Sequence, residues 1–189
     1  KMLNKAIKDA HYKGKVNIAM DCAASEFYSK KKYLVDGKKL DSDALIKHYL
    51  HLIKSYPIIS IEDPFDQEEF VSFAELTQKT NVQVVGDDLT VTNIERIEEA
   101  VREKSCNCLL LKINQIGTLT EALDATRLAY EHQWKVMVSH RSGDTEDTFI
   151  ADLAVGLGCG MIKSGAPCRG ERTAKYNRLL RIEELLKER

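Results

Sequence analysis

An excess of charge is the first thing the sequence lacks. Its 28 Lys and Arg stand against 29 Asp and Glu, a formal net charge of -1 over 189 residues. That balance gives no general pull toward nucleic acid or an anionic membrane. Long apolar runs are also missing: none approaches the roughly 18 residues of a membrane span. No secretory pattern is present, since the opening KMLNKAIKDA reads as an amphipathic helix. Paired cysteines are missing as well. Cys22, Cys106, Cys108, Cys159 and Cys168 are odd in number and contain no C-x2-C spacing. Cys106 and Cys108 alternate into a strand start and are expected to be small buried hydrophobes. The expected compartment is therefore reducing and cytoplasmic. There is no linker and no shift in composition. With 43% apolar and 30% charged residues, the chain is long enough for one domain with a real core.

What is present is a repeated unit. Apolar runs occur at 16–20, 58–61, 82–85, 108–111, 136–138 and 160–162. Near-continuous runs of this kind suggest parallel strands covered on both faces. Helical patterns separate them. Leu45, Ile46, Tyr49, Leu50 and Ile53 recur at helical spacing between Ser42 and Tyr56. Thr92 to Glu95 and Thr118 to Glu121 each read as a capping box opening a helix. Further helices are expected over 146–157 and 171–187, with a weaker one over 68–80. Residues 25–39 read as loop with room for a small hairpin, and Lys30, Lys31 and Lys32 as a solvated turn.

Strand and helix alternating in this way predict a parallel α/β fold. An open doubly wound sheet would gather its functional residues at one switch point. A (β/α)8 barrel draws them from the C-terminal ends of several strands. The six runs end at or just before Asp21, Glu62, Asp87, Lys112, His140 and Lys163. That pattern favours a TIM-type barrel with six of its eight strands in the chain, the first two expected to precede Lys1.

Asp21, Glu62 and Asp87 form an acidic half of such a barrel mouth. Three carboxylates in a dry site repel one another, and a hard divalent cation resolves this. The set suits Mg2+ better than zinc, which favours nitrogen and sulfur. Lys112, His140 and Lys163, with Arg141 and Ser142, form a basic half. Together the halves would suit a small polyanion, its carboxylate at the metal and its phosphate on the basic side. Arg141 offers a planar fork for phosphate. A lysine near a cation can serve as a general base, removing a proton α to a carboxylate. Taken singly, Lys112 reads as a salt-bridge partner and His140 as a hydrogen-bonded core histidine.

Longer motifs carry a family resemblance. SIEDPF at 60–65, VGDDLTVTN at 85–93, LLLKINQIG at 109–117, SHRSGDTEDTFIAD at 139–152 and IKSGAPCRGERTAKYNRLLRIEE at 162–184 resemble enolase, the phosphopyruvate hydratase family of glycolysis. DCAASEF at 21–27 resembles its first metal-ligand motif. The resemblance implies the reversible dehydration of 2-phosphoglycerate to phosphoenolpyruvate by a homodimer. It implies Asp21, Glu62 and Asp87 as Mg2+ ligands and Lys112 as the base that takes the C2 proton. His140 and Lys163 would be catalytic alongside Lys112 and also bind the substrate: Lys163 would help hold its carboxylate, and His140 would lie in a loop that closes on it. Arg141 and Ser142 would bind phosphate, while Ser139, Glu62 and Asp87 would also border the substrate. Asp88 would be structural. A lysine or histidine base with one or two Mg2+ ions is the general enolase-superfamily pattern.

Three departures accompany the resemblance. Family members run to more than twice this length. Their N-terminal α+β domain and first two barrel strands, which supply further acidic, histidine and serine groups and part of a second Mg2+ site, have no counterpart here. Gly170 stands where serine is common, with an expected effect on helix capping, and residues 29–39 are short. Racemases and cycloisomerases of the same superfamily lack the SHRSG and IKSGAP runs together. The other reading is a truncated, non-catalytic module, for instance a plasminogen binder through Lys187. A sheet with two unpaired edges is an aggregation hazard, so the 189 residues alone are expected to fold poorly and be inactive.

Overall fold

A computed structural model describes residues 1–188. Nine strands and eight α-helices are formed among them. The amphipathic opening becomes α1 (Met2–Asp9), which buries none of its residues. β1 (Ile18–Asp21) follows, then a single 3-10 turn (Ala24–Phe27). The stretch expected to hold a hairpin forms a three-stranded antiparallel meander: β2 (Tyr28–Ser29), β3 (Lys32–Val35) and β4 (Lys38–Leu40). Two tight turns make it. Lys30 and Lys31 have φ of 51° and 58°, and Asp36 and Gly37 have φ of 48° and 76°. Paired positive φ values give the turn whose twist matches the strands it joins.

From there strand and helix alternate. α2 (Ser42–Ser55) leads to β5 (Ile58–Glu62), α3 (Phe70–Lys79) to β6 (Gln83–Gly86), and α4 (Ile94–Glu103) to β7 (Cys108–Leu111). A short α5 (Ile113–Ile116) and α6 (Leu119–Glu131) precede β8 (Lys135–Ser139). α7 (Phe149–Gly156), β9 (Ile162–Lys163) and α8 (Gly170–Lys187) complete the chain. The six major strands pair in the order β1-β5-β6-β7-β8-β9, all parallel. The fold is a partial TIM-type barrel, as the strand-end argument predicts.

Register shows how the sheet curls. Following the ladder from Asp21 through Glu62, Val85 and Cys108 arrives at Lys135. Lys163, however, sits beside Ser139, four residues further along β8. At about 3.3 Å per residue this is an offset of roughly 13 Å. Tilted strands need such a stagger to close toward a barrel. The curl is enough that Lys163 Nζ on β9 lies 2.6 Å from Asp21 Oδ2 on β1, joining the two outermost strands.

Two apolar layers result. The large one lies between the sheet and its helices and includes Ile61, Phe65, Phe73, Val84, Leu109, Leu111, Val136 and Val138. The small one lines the barrel interior: Val85, Cys108 and Leu110, with Met137 and Met161 packed against them. Cys106 and Cys108 are buried and unpaired, as expected.

Two helix starts differ from the sequence reading. The cap of α4 is Asn93, whose side chain accepts from Arg96 N at 3.2 Å. Thr92, the expected cap, is fully buried with φ 57°, and its hydroxyl bridges Leu110 O and Lys112 N. A buried hydroxyl must find partners, and Thr92 finds them on the neighbouring strand. α7 begins at Phe149 and not at Glu146. Thr145 Oγ1 accepts from Asp147 N and Asp147 Oδ1 from Phe149 N, local turns that compete with the helix. The capping expectation at Thr118 is met: its hydroxyl accepts from Glu121 N at 3.2 Å.

Candidate functional site

Side chains on a strand alternate between faces, and here the alternation decides which strand-end groups meet. Cys108 and Leu110 face the barrel interior, as do Val85, Met137 and Met161. Two residues beyond Val85, Leu110, Met137 and Met161 come Asp87, Lys112, Ser139 and Lys163. Glu62 pairs with Val85, and Asp21 with Glu62. Five of the six predicted strand-end groups thus share the inward parity of their strands. His140 does not; the inward residue at that end of β8 is Ser139.

The inward groups form two ion-pair clusters. Lys163 Nζ donates to Asp21 Oδ2 at 2.6 Å and to Glu62 Oε1 at 2.8 Å. Lys112 Nζ donates to Asp87 Oδ2 at 2.5 Å. Glu62 and Asp87 are buried, while Asp21 is more open. Burial raises Glu62 from 4.5 to about 7, against the Lys163 hydrogen bond that lowers it and the charges of Asp21 and Asp87 that raise it. Burial alone would lower Lys163, but its bonds to Asp21 and Glu62 outweigh it and raise the lysine. A cavity of about 590 Å³ opens beside this cluster, lined among others by Asp21, Ser60, Glu62, Met137, Met161 and Lys163.

A residue absent from the sequence reading supports the acidic half. Asp63 is 3% exposed, and its two carboxylate oxygens accept from the backbone N–H groups of Asp87 (2.9 Å) and Asp88 (2.7 Å). Its own backbone is left-handed, φ 42°, and its N–H donates to Val85 O. A non-glycine residue holds that conformation at a cost, tolerated where surrounding bonds determine it. Burial pushes the Asp63 carboxyl up to about 8, although the two amide bonds favour the charged form. Asp63, Asp87 and Asp88 bring carboxylate oxygens within 4.8 Å of one another, whereas Asp21 and Glu62 gather at Lys163.

The donor set suits a hard cation. It offers only carboxylate oxygens, and Asp87 Oδ1 is buried without a hydrogen-bond partner. A buried acceptor left unmatched is costly, and a divalent ion is the natural partner for one between carboxylates. Glu62, Asp87 and Asp21 could contribute to holding such an ion, beside the two lysines that pair with them.

The basic half is held differently. Ser139 is buried, and its hydroxyl donates to His140 O. His140, Arg141 and Ser142 begin the loop after β8, which borders a second cavity of about 330 Å³. That loop is gripped by α8. Arg172, 7% exposed, donates to the carbonyls of Arg141 and Ser142 at 3.0 Å each and to His140 Nδ1. Lys175, 1% exposed, donates to Glu171 O and Thr145 O and lies 3.3 Å from Asp144 Oδ2. Burial, then the charges of Arg172 and Lys163, hold the His140 imidazole below its usual range. Neither Arg172 nor Lys175 was singled out by sequence; both lie within the expected 171–187 helix, which is dense in charged residues.

Gly170 begins α8 behind Arg169, which makes no side-chain cap bond. A Cβ at Gly170 would stand 2.6 Å from Glu146 Oε1 of the loop, so the position bears on loop packing as well as capping. Lys187 pairs with Glu183 on the last turn of α8, an ordinary solvated i,i+4 contact. No helix among the described residues is long and apolar enough to cross a membrane. Compared with known protein families, residues 1–189 match the family model described as the enolase C-terminal TIM barrel domain.

Proposed function

We propose, from the premise that the chain belongs to the enolase C-terminal TIM barrel family, that it carries most of the chemistry of a Mg2+-dependent phosphopyruvate hydratase. The reaction is the reversible loss of water from 2-phosphoglycerate to give phosphoenolpyruvate. The observation that carries this reading is the shared inward parity of Asp21, Glu62, Asp87, Lys112 and Lys163 around one barrel mouth. In the proposal Asp21, Glu62 and Asp87 hold Mg2+. The ion, when bound, supplies positive charge that acidifies the proton α to the substrate carboxylate and stabilises the charge that develops there.

Lys112 acts as the base. Its backbone is fixed by Thr92, and its ammonium group is within reach of the acidic half through Asp87. As the free amine it takes the C2 proton; the C2 electron pair then forms the C2–C3 double bond as the C3 hydroxyl leaves as water, its added proton drawn from solvent. Lys163 binds the substrate carboxylate, exchanging its contacts with Asp21 and Glu62 for the incoming anion. Arg141 and Ser142 bind the phosphate, and Ser139 and His140 line the approach. We extend the proposal to a homodimer in the glycolysis of the cytoplasm.

The test uses the full-length protein with 2-phosphoglycerate and Mg2+. Phosphoenolpyruvate should form, and C2 of recovered substrate should exchange with deuterium from the solvent. Chelation should stop both. Absence of both signals in folded, Mg2+-loaded protein would remove the reading.

A further inference from the structure

We propose that Arg172 is a positioning residue that fixes His140 as the neutral Nε2–H tautomer and sets the loop carrying Arg141 and Ser142. The inference rests on the functional reading above only for its effect on turnover. Its structural part stands on hydrogen-bond chemistry. A guanidinium can donate and cannot accept. Its contact with His140 Nδ1 therefore requires a lone pair on that nitrogen. A neutral ring with Nδ1 unprotonated carries its proton on Nε2.

Arg172 has little freedom to do otherwise. It is buried on the first turn of α8, and the same guanidinium donates to the carbonyls of the next two residues, Arg141 and Ser142, at 3.0 Å. One planar fork thus grips three consecutive residues. Such a fork is pre-organised in a way an ammonium is not. Behind it Lys175 anchors Thr145 and lies near Asp144, so the loop is tied at both ends to one helix.

The surroundings agree. Arg172, Lys163 and Lys112 all present positive charge to the ring, and Asp144 alone among the principal neighbours opposes them. Gly165 of the following loop leaves the space: a Cβ there would stand 3.1 Å from Arg172 Cδ and 3.3 Å from His140 Cε1, and its φ is +83°. Tyr176 on α8 donates to Gly165 O, holding that loop against the same helix. A neutral His140 offers a hydrogen-bond donor to an anion and no labile positive charge. Its role on this reading is orientation of substrate, not proton transfer.

The experiment is 15N-detected imidazole NMR on the full-length protein, with His140→Gln to assign the signal. At neutral pH His140 should show the Nε2–H pattern. In Arg172→Met, with circular dichroism unchanged, the imidazole should protonate at higher pH and populate Nδ1–H. Turnover of 2-phosphoglycerate, as kcat/KM, should fall on the order of 100-fold, the scale for a misplaced active-site group. Arg172→Lys should restore less than half of the logarithmic loss, because one ammonium cannot span three acceptors. An Nδ1–H or doubly protonated ring in the unmodified protein would overturn the proposal, and needs no folded variant to be seen. So would an unchanged tautomer and titration in folded Arg172→Met. Protein with the Nε2–H tautomer and no hydratase activity would uphold the clasp and reject the functional reading instead.

Discussion

The acidic and basic halves of the barrel mouth are built by opposite means. On the acidic side each functional group stands at the end of its own strand, and the support is a backbone clamp: Asp63 receives the amides of Asp87 and Asp88. On the basic side the groups after β8 sit in a loop, and the support comes from α8, some 30 residues away, through the buried side chains of Arg172 and Lys175. Strand ends are placed by the sheet ladder and need only local reinforcement. A loop needs an external scaffold, and buried cations donating to carbonyls provide one without requiring particular loop side chains. The acidic half should therefore respond to substitution through charge, and the basic half through geometry.

The largest effect should come where the halves meet. Lys112→Ala should lower kcat of the full-length protein by several orders of magnitude, the scale expected when a general base is lost. The melting temperature should change little. Near-normal turnover would mean that the two halves do not share one reaction.

Next is Asp63→Ala, which removes the clamp and leaves two amides without their acceptor. An ordinary hydrogen bond contributes about 0.5–1.5 kcal/mol net, so a stability loss of about 2 kcal/mol is expected in denaturant titration. Mg2+ affinity, measured by calorimetry, should fall in parallel. If stability fell but Mg2+ affinity held, the clamp would serve the fold alone and the contrast between the halves would narrow.

A third test uses pH. Glu62 is raised on folding from 4.5 to about 7. A carboxyl raised in the folded state contributes stability that is full below pH 4.5 and lost as pH climbs through 7. Metal-free protein should therefore lose stability across that window, by up to about 3 kcal/mol at 1.36 kcal/mol per pH unit. Glu62→Gln should flatten the profile. Added Mg2+ should oppose the loss, since binding the native state stabilises it. A profile that stayed steep in Glu62→Gln would assign the effect to Asp63, which is raised to about 8.

The smallest effect belongs to Gly170→Ser in the basic half. The new Cβ meets only the end of the exposed Glu146 side chain, which can swing away. Serine favours a helix over glycine by less than about 1 kcal/mol, so the thermal midpoint should stay level or rise slightly. A marked loss of stability would show that Glu146 contributes to holding the loop.

The comparison also explains what could be read from sequence. The six strands were legible because both faces of a parallel sheet are covered, which leaves apolar runs such as those at 58–61 and 108–111. Their charged ends were legible because Asp21, Glu62, Asp87, Lys112 and Lys163 interrupt or follow those runs abruptly. Asp63 was not, because its partners are amides 24 and 25 residues away and its neighbour Glu62 already accounted for a carboxylate there. Arg172 and Lys175 were hidden for another reason. A buried arginine and a solvated one look alike in sequence, and α8 has charged residues on every side. Thr92 matched a capping pattern that Asn93, one residue later, fulfils; only the position of Leu110 and Lys112 shows why the threonine is needed elsewhere.

The alternation of facing along each strand has a consequence for how such a chain can change through time. Inserting or deleting one residue within β5 or β7 would turn Glu62 or Lys112 from the mouth toward the helices, while a change of two would restore the facing at a different height. The strands can therefore vary in length only in steps of two without losing their functional ends. No such arithmetic constrains the two turns of the meander, Lys30–Lys31 and Asp36–Gly37, although Tyr33 on the strand between them is fully buried. Length variation among relatives should accumulate there and be almost absent between Ile58 and Glu62. An alignment of homologues would show at once whether it does.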